Sequence, residues 1–282
     1  MATAKKPAAT QAVAVKPNTP TDLVPFDYGD DAGAGMDITM DDLKIPFIAL
    51  AQSDSKILDD EEATFAPGGA AGMLFNGATL EYADELILAL AVRRTTYVEW
   101  LPDRGGFVGE HQALSPIVAE AKRNAAKKYD LRTQDGNDLV ETRSIYAIIL
   151  DADLNPVGYC IVPFTGSKMS PWRDYWTAID TARVSKNAPL FAHTVRLSSK
   201  NDRNKKGDKF KNLVMAPARN AAGELTQVTL EADVRGSMLQ PDSEAYQAAR
   251  ALRDAVDSGR ATADSSTARD GQTGSGEGDE VF

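Results

Sequence analysis

The chain reads as a mainly β domain with a few helices, an α+β fold, set between two arms that do not pack. Three observations point there. Short apolar runs bounded by Gly, Pro, Asn and Asp recur through the middle of the chain. Two Ser-Pro pairs open segments with helical apolar spacing. Both ends are poor in large apolar residues, so they cannot bury enough surface to offset chain entropy. The expected organisation is an arm over residues 1–40, one domain over 41–257 and an acidic tail over 258–282.

Order begins near "LKIPFIALAQ", and "GGAAGMLFNG" follows as a short strand bracketed by glycines. "ELILALAVRRTTYVEWLP" is unusually long for a strand. Leu88, Leu90 and Val92 alternate toward a core and Arg93, Thr95 and Tyr97 fall opposite; Arg94 and Trp100 break the pattern, which places a bulge or bend there. "DRGGFVGEH" supplies a glycine turn and a short return strand. "SPIVAEAKRNAAKKY" is a helix with Ser115 as N-cap, Pro116 in its first turn and Val118, Ala121, Ala125 and Tyr129 inward. "SIYAIILD" and "VGYCIVPF" are strands joined through "ADLNP", whose acids read as turn formers.

"SKMSPWRDYWTAIDTARVSK" is the second helix, with Trp172, Tyr175, Trp176 and Ile179 on one inward face. "LFAHTVRLSSK" is a strand that carries His193 on its core side. "KNDRNKKGDKFKN" holds five lysines and Arg203 around one glycine between two strand patterns, which reads as a flexible basic hairpin. "ELTQVTLEA" reads as a strand and "PDSEAYQAARALRDAVDSG" as an amphipathic helix with Tyr246, Ala249 and Leu252 inward.

The formal net charge is −10, but it is segregated. Between Asp27 and Glu62 eleven acids face only Lys44 and Lys56, whereas between Phe164 and Arg219 twelve bases face four acids. A basic body flanked by acidic segments suits a polyanionic partner despite the overall sign. Catalytic motifs are missing: there is no phosphate-binding GxxxxGK[ST] loop and no GxSxG elbow. The two histidines, His111 and His193, with the single Cys160 cannot assemble a zinc cluster. No enzyme, metal or cofactor is expected. No apolar run is long enough for a membrane helix, and a cytoplasmic location, in an infected bacterial host cell, is the expectation.

Short strands, a central helix and a basic hairpin are compatible with an OB-fold-like barrel, whose open face and loops hold single strands through cations and stacked rings. The residues chosen for that role are Arg93, Arg94, Tyr97, Trp100, Arg104 and Phe107 around the long strand, with Lys168, Arg196, Lys200, Arg203, Lys205, Lys206, Lys209 and Lys211 in the basic body. The chain ends in "GEGDEVF". An acidic tail can occupy the basic groove in competition with DNA and, once released, present Asp279, Glu280, Val281 and Phe282 to a partner protein.

The "EGDEVF" ending resembles the acidic, phenylalanine-terminated tail of phage and bacterial single-stranded-DNA-binding proteins, which combine an OB-fold with a tail that recruits replication and recombination partners. "LKIPFIALAQ", "YVEWLPDRGGFVGEH" and "SKMSPWRDYW" resemble phage proteins of early replication and recombination clusters, over about residues 41 to 235. The resemblance implies a sequence-tolerant coat for single-stranded DNA that recruits phage proteins. The tail lacks the proline that precedes the bacterial phenylalanine, which favours a phage-encoded partner. A recombination annealing or nuclease accessory protein and a carboxylate-metal nuclease are the alternatives; self-association is left open.

Overall fold

The computed structural model describes residues 44–102, 105–127, 130–182, 187–204, 206–226, 228, 231–261 and 263. A three-stranded antiparallel sheet is built from β1 (Ile48–Leu50), β2 (Leu74–Asn76) and β3 (Glu81–Ala83) in that order. The larger sheet holds β4 (Glu85–Trp100), β5 (Phe107–Gln112), β6 (Asp138–Leu150), β7 (Pro156–Phe164), β8 (Thr194–Arg203) and β9 (Lys209–Pro217). Its order is β7-β6-β4-β8-β9, with β5 also on β4. The helices are α1 (Pro116–Asn124), α2 (Met169–Thr181), α3 (Glu231–Gly236) and α4 (Glu244–Asp257).

The mainly β, α+β expectation holds, but the sheets are not closed barrels: among the described residues the larger sheet stays open, with β7 and β9 at its outer edges. Each face buries its own cluster. On one face Leu88, Leu90, Ile145, Val162 and Leu197 pack with Ile48 and Leu74 of the small sheet and with Trp172, Tyr175 and Ile179 of α2. On the other, Ile87, Ala89, Ile148 and Ile161 lie beneath Ala245, Ala249, Leu252 and Ala255 of α4, where the small residues let the helix approach closely.

The long strand β4 organises all of this. It pairs with β6 along nearly its whole length, with β8 over Glu85–Ala89 and with β5 over Thr96–Trp100. The bulge falls at Ala91, between Leu90 and Val92, earlier than the Arg94 expected from the sequence. The extra residue turns Val92 away from Leu90 and brings Arg93, Thr95 and Tyr97 onto the face of Leu88 and Leu90, the reverse of the assignment by simple alternation. A second register shift, between Glu99 and Trp100 against β5, matches the break expected at Trp100.

Other local readings fare unevenly. Ser115 stands at the N-cap position of α1, yet its hydroxyl makes no capping bond and is buried without a partner. Asp151 closes the β6–β7 turn by accepting from the backbone N–H groups of Asp153 and Asn155 at 2.9 and 2.8 Å, the turn-forming role expected of it. His193 is buried, and burial pushes its pKa down to about 4, as befits a neutral core imidazole. Of the strand expected over "ELTQVTLEA", the described residues show one isolated bridge, from Leu225 to Arg219, and Glu231 already opens α3, while Gln227, Thr229 and Leu230 lie outside the described residues.

Glu99 is buried on β4 and ties three segments together. Its Oε1 accepts from Asn137 Nδ2 at 2.7 Å, and its Oε2 lies 2.7 Å from His111 Nε2 on β5. Burial pulls the carboxyl pKa upward, but hydrogen bonds from Asn137, His111 and Thr133 and the His111 charge together outweigh it and hold the pKa below its ordinary 4.5. A depressed folded-state pKa means this stabilisation is present above pH 4.5 and is lost as pH falls through the folded value. Glu99→Gln should therefore flatten the acid limb of a stability-against-pH curve; an unchanged limb would contradict the assignment. Leu90, 0% exposed, should cost about 2–5 kcal/mol as Leu90→Ala in urea unfolding, whereas Leu114→Ala, at a side chain 95% exposed, should stay within about 0.5 kcal/mol.

Candidate nucleic-acid interface

The basic segment forms a β8–β9 hairpin, as its sequence predicts. The turn is closed by Asn204 and Asp208: Asn204 N donates to Asp208 O at 3.0 Å, and Asp208 N donates to Asn204 Oδ1 at 2.9 Å. Gly207 takes a φ of +93°, a conformation that side-chain-bearing residues avoid. The stem is anchored rather than loose. Ser199 Oγ donates to Gly72 O at 2.5 Å, Asn212 Nδ2 donates to Ser167 O at 3.3 Å, and Gln52 bonds both the N–H and the C=O of Lys211 at 2.9 Å.

Register decides where the cations point. Arg203 stands opposite Lys209 and Asn201 opposite Lys211, so Arg203, Lys209 and Lys211 share one face of the ribbon. Lys200, opposite Asn212, and Phe210, opposite Asp202, share the other. Like charges directly across a strand pair destabilise it, so the Arg203–Lys209 pair costs the hairpin stability that a bound anion would return. Asp202 is a local counter-charge. A hydrogen bond from Asn212, the backbone N–H of Arg203 and the Lys200 charge hold its pKa below the usual carboxylate range.

Phe210 was not among the residues chosen from sequence. It is half-buried and belongs to none of the hydrophobic clusters of the described residues. On the Lys200 face of the ribbon, this ring is one on which a base could stack beside a cation. Lys168 joins this patch from the turn before α2, one residue beyond the Ser167 carbonyl that meets the stem. The structure thus gathers Lys168, Lys200, Arg203, Lys206, Lys209 and Lys211 at one hairpin.

The residues chosen on the long strand lie elsewhere. Glu85 pairs with Ser198, so Lys200 sits two residues beyond one end of β4 while Arg93 sits eight residues in the other direction. That is about 33 Å along the sheet at about 3.3 Å per residue. The single groove expected from sequence is two separate regions. Tyr97 and Trp100 are each 4% exposed, so neither ring offers a stacking face. Tyr97 packs with α1 beneath Lys122, whose Nζ is 4.4 Å from the ring centroid, and Trp100 meets Phe107 edge-on at 6.0 Å. Arg196 is buried and paired with Glu85, which removes it from any phosphate-binding role.

Arg93 and Arg94 are exposed, on opposite faces of β4. The Arg93 guanidinium lies over the Trp176 ring at 4.9 Å, and Arg94 is paired with Asp257 of α4. Trp176, read as core from its helical spacing, is half-buried: it packs against the core edge-on to Trp172 and Tyr175 and also carries the Arg93 guanidinium. Arg104, Lys205, Asp279, Glu280, Val281 and Phe282 lie outside the described residues. Among the described residues no group of three or more His, Cys, Asp or Glu side chains could hold a metal ion, and no helix is long and apolar enough to cross a membrane.

The family described as Pam3 phage gp34-like protein matches residues 16–262, a span that takes in nearly every described element. No curated protein and no solved structure matches the chain. The hairpin, the long strand and both helical covers fall inside the matched region, and the chain belongs to the Pam3 phage gp34-like protein family.

Proposed function

We propose that the protein binds single-stranded DNA during phage replication or recombination, with the β8–β9 hairpin as its contact element. The observation that carries this reading is the hairpin itself: Arg203, Lys209 and Lys211 on one face, and Lys200 with the Phe210 ring on the other. Cations that follow phosphates supply affinity without sequence preference. A ring that can stack on a base favours a strand whose bases are unpaired, since a duplex has already stacked its own. The chemistry is that of an OB-type binder, cations and a ring on an antiparallel strand pair, and it does not require a closed barrel. The acidic C-terminus, with Asp279, Glu280, Val281 and Phe282, serves in this reading as a ligand for proteins of the phage replication or recombination machinery.

A variant with Arg203, Lys206, Lys209 and Lys211 all changed to Ala should bind a single-stranded oligonucleotide with a log–log salt slope shallower by about 3, at about 0.7 per lost phosphate contact. An unchanged slope retires the hairpin as the interface. Phe210→Ala should weaken binding by about 1–3 kcal/mol while leaving the salt slope alone, because stacking releases no counterions. A loss confined to slope would contradict the stacking role.

A further inference from the structure

Helix α2 runs between the two cationic regions that the sheet keeps apart. Its start belongs to the hairpin patch: the Ser167 carbonyl accepts from Asn212 of β9 at 3.3 Å, and Lys168 stands at the N-cap position. Its inner side, with Trp172, Tyr175 and Ile179, shares one hydrophobic cluster with Leu197 of β8 and with Leu213 and Met215 of β9. Eight residues after Lys168, Trp176 meets the Arg93 guanidinium of β4, 4.9 Å from its ring centroid. Those eight residues are about 12 Å of helix, leading from the basic ribbon to the far part of the long strand.

The outer side of this path carries cations. Arg173, exposed on α2, precedes Trp176 by three residues and therefore shares its side of the helix. Arg93 is also exposed, and neither arginine is paired with an acid among the described residues. Past the Ala91 bulge, Arg93, Thr95 and Tyr97 lie on one face of β4, and Lys122 of α1 sits over the Tyr97 ring at 4.4 Å. Two cations supported by rings thus flank the exposed Thr95 on one face of a single strand. Arg143, across from Thr95 on β6, is already neutralised by Glu141. Asp180, a turn beyond Trp176, marks where the cationic row leaves the helix for the strand.

The length and spacing of the row select its ligand. From Lys200 to Tyr97 is about 46 Å along the sheet, at about 3.3 Å per residue, too long for a compact anion. A stacked single strand, at about 3.4 Å per nucleotide, covers that distance in about 14 nucleotides. A ring beneath a guanidinium orders it before binding, and a base stacks on a guanidinium plane much as it does on a ring.

We infer that a single strand of DNA held at the β8–β9 hairpin continues over α2 to Arg93 and Lys122, giving a footprint of about 14 nucleotides. This inference rests on the reading of the hairpin as a single-strand contact and extends it. Arg173 and Arg93 bind phosphates along the way, and Lys122 holds the far end. A strand of only a few nucleotides reaches none of these three once it occupies the ribbon.

Salt-titrated binding of the full-length protein to oligothymidylates of about 4 and about 16 nucleotides tests it. A variant with Arg93→Ala, Lys122→Ala and Arg173→Ala should bind the long strand more weakly, with a log–log salt slope shallower by about 2, at about 0.7 per lost phosphate contact. The same variant should bind the short strand as the wild type does. Arg93→Lys with Arg173→Lys, which keeps the charge, should retain the long-strand slope. A wild-type slope for the alanine variant on the long strand overturns the path over α2. Equal weakening toward both lengths overturns it too, because the three residues would then act through the fold or the ribbon. The hairpin alanine variant keeps the two readings apart. If it binds both lengths as the wild type does, the hairpin reading fails; if it loses the short strand while the α2 variant holds the long one normally, only the path over α2 fails.

Discussion

The architecture depends on one strand being shared. β4 runs sixteen residues and offers one edge to β6 nearly throughout, while its other edge is divided between β8 and β5. The burial of Leu88, Leu90, Ile87 and Ala89 on its two faces fixes both hydrophobic clusters, and through them the seating of α2 and α4. The Ala91 bulge resets which face every later residue occupies. Because of it, Tyr97 is buried against α1 and Arg93 meets Trp176 rather than standing alone.

The proposed function rests on where this frame gathers positive charge. Arg196 pairs with Glu85 and Arg143 with Glu141, so the cations on the sheet body are largely held by acids. At the hairpin, cations stand opposite each other or beside a ring, and Asp202 is engaged by Asn212. Gln52 occupies both backbone groups of Lys211 on the exposed edge of β9, which discourages edge-to-edge pairing there and keeps the ribbon available for another partner.

Much of this was legible in the chain because it is set locally. The Asp151–Pro156 turn, the α4 amphipathic stripe and the basic hairpin each rest on residues within a few positions of one another, whereas the second Ser-Pro pair lies inside α2, which opens at Met169 with Lys168 at its N-cap. What was not legible depends on contacts distant in sequence. A bulge opposite Tyr146 cannot be read from "LALAVRR", since Ala91 fits either face; alternation then assigned Tyr97 and its neighbours wrongly. The burial of Arg196 needs Glu85, which is 111 residues away. The separation of Arg93 from Lys200 is a matter of strand register, which basic composition does not encode. Trp176 carries a helical signal indistinguishable from that of its buried neighbours Trp172 and Tyr175, and Phe210 between two lysines carries no signal that separates a surface ring from a core one.

The central claim is that a single strand of DNA lies on the β8–β9 ribbon. Photocrosslinking the full-length protein to a bromodeoxyuridine-substituted oligonucleotide, with the attached residues mapped by mass spectrometry, tests it most directly. The account predicts adducts within residues 198–213, centred on Phe210. Adducts confined to the Arg93–Trp176 region, or an absence of adducts at any salt concentration, would contradict it.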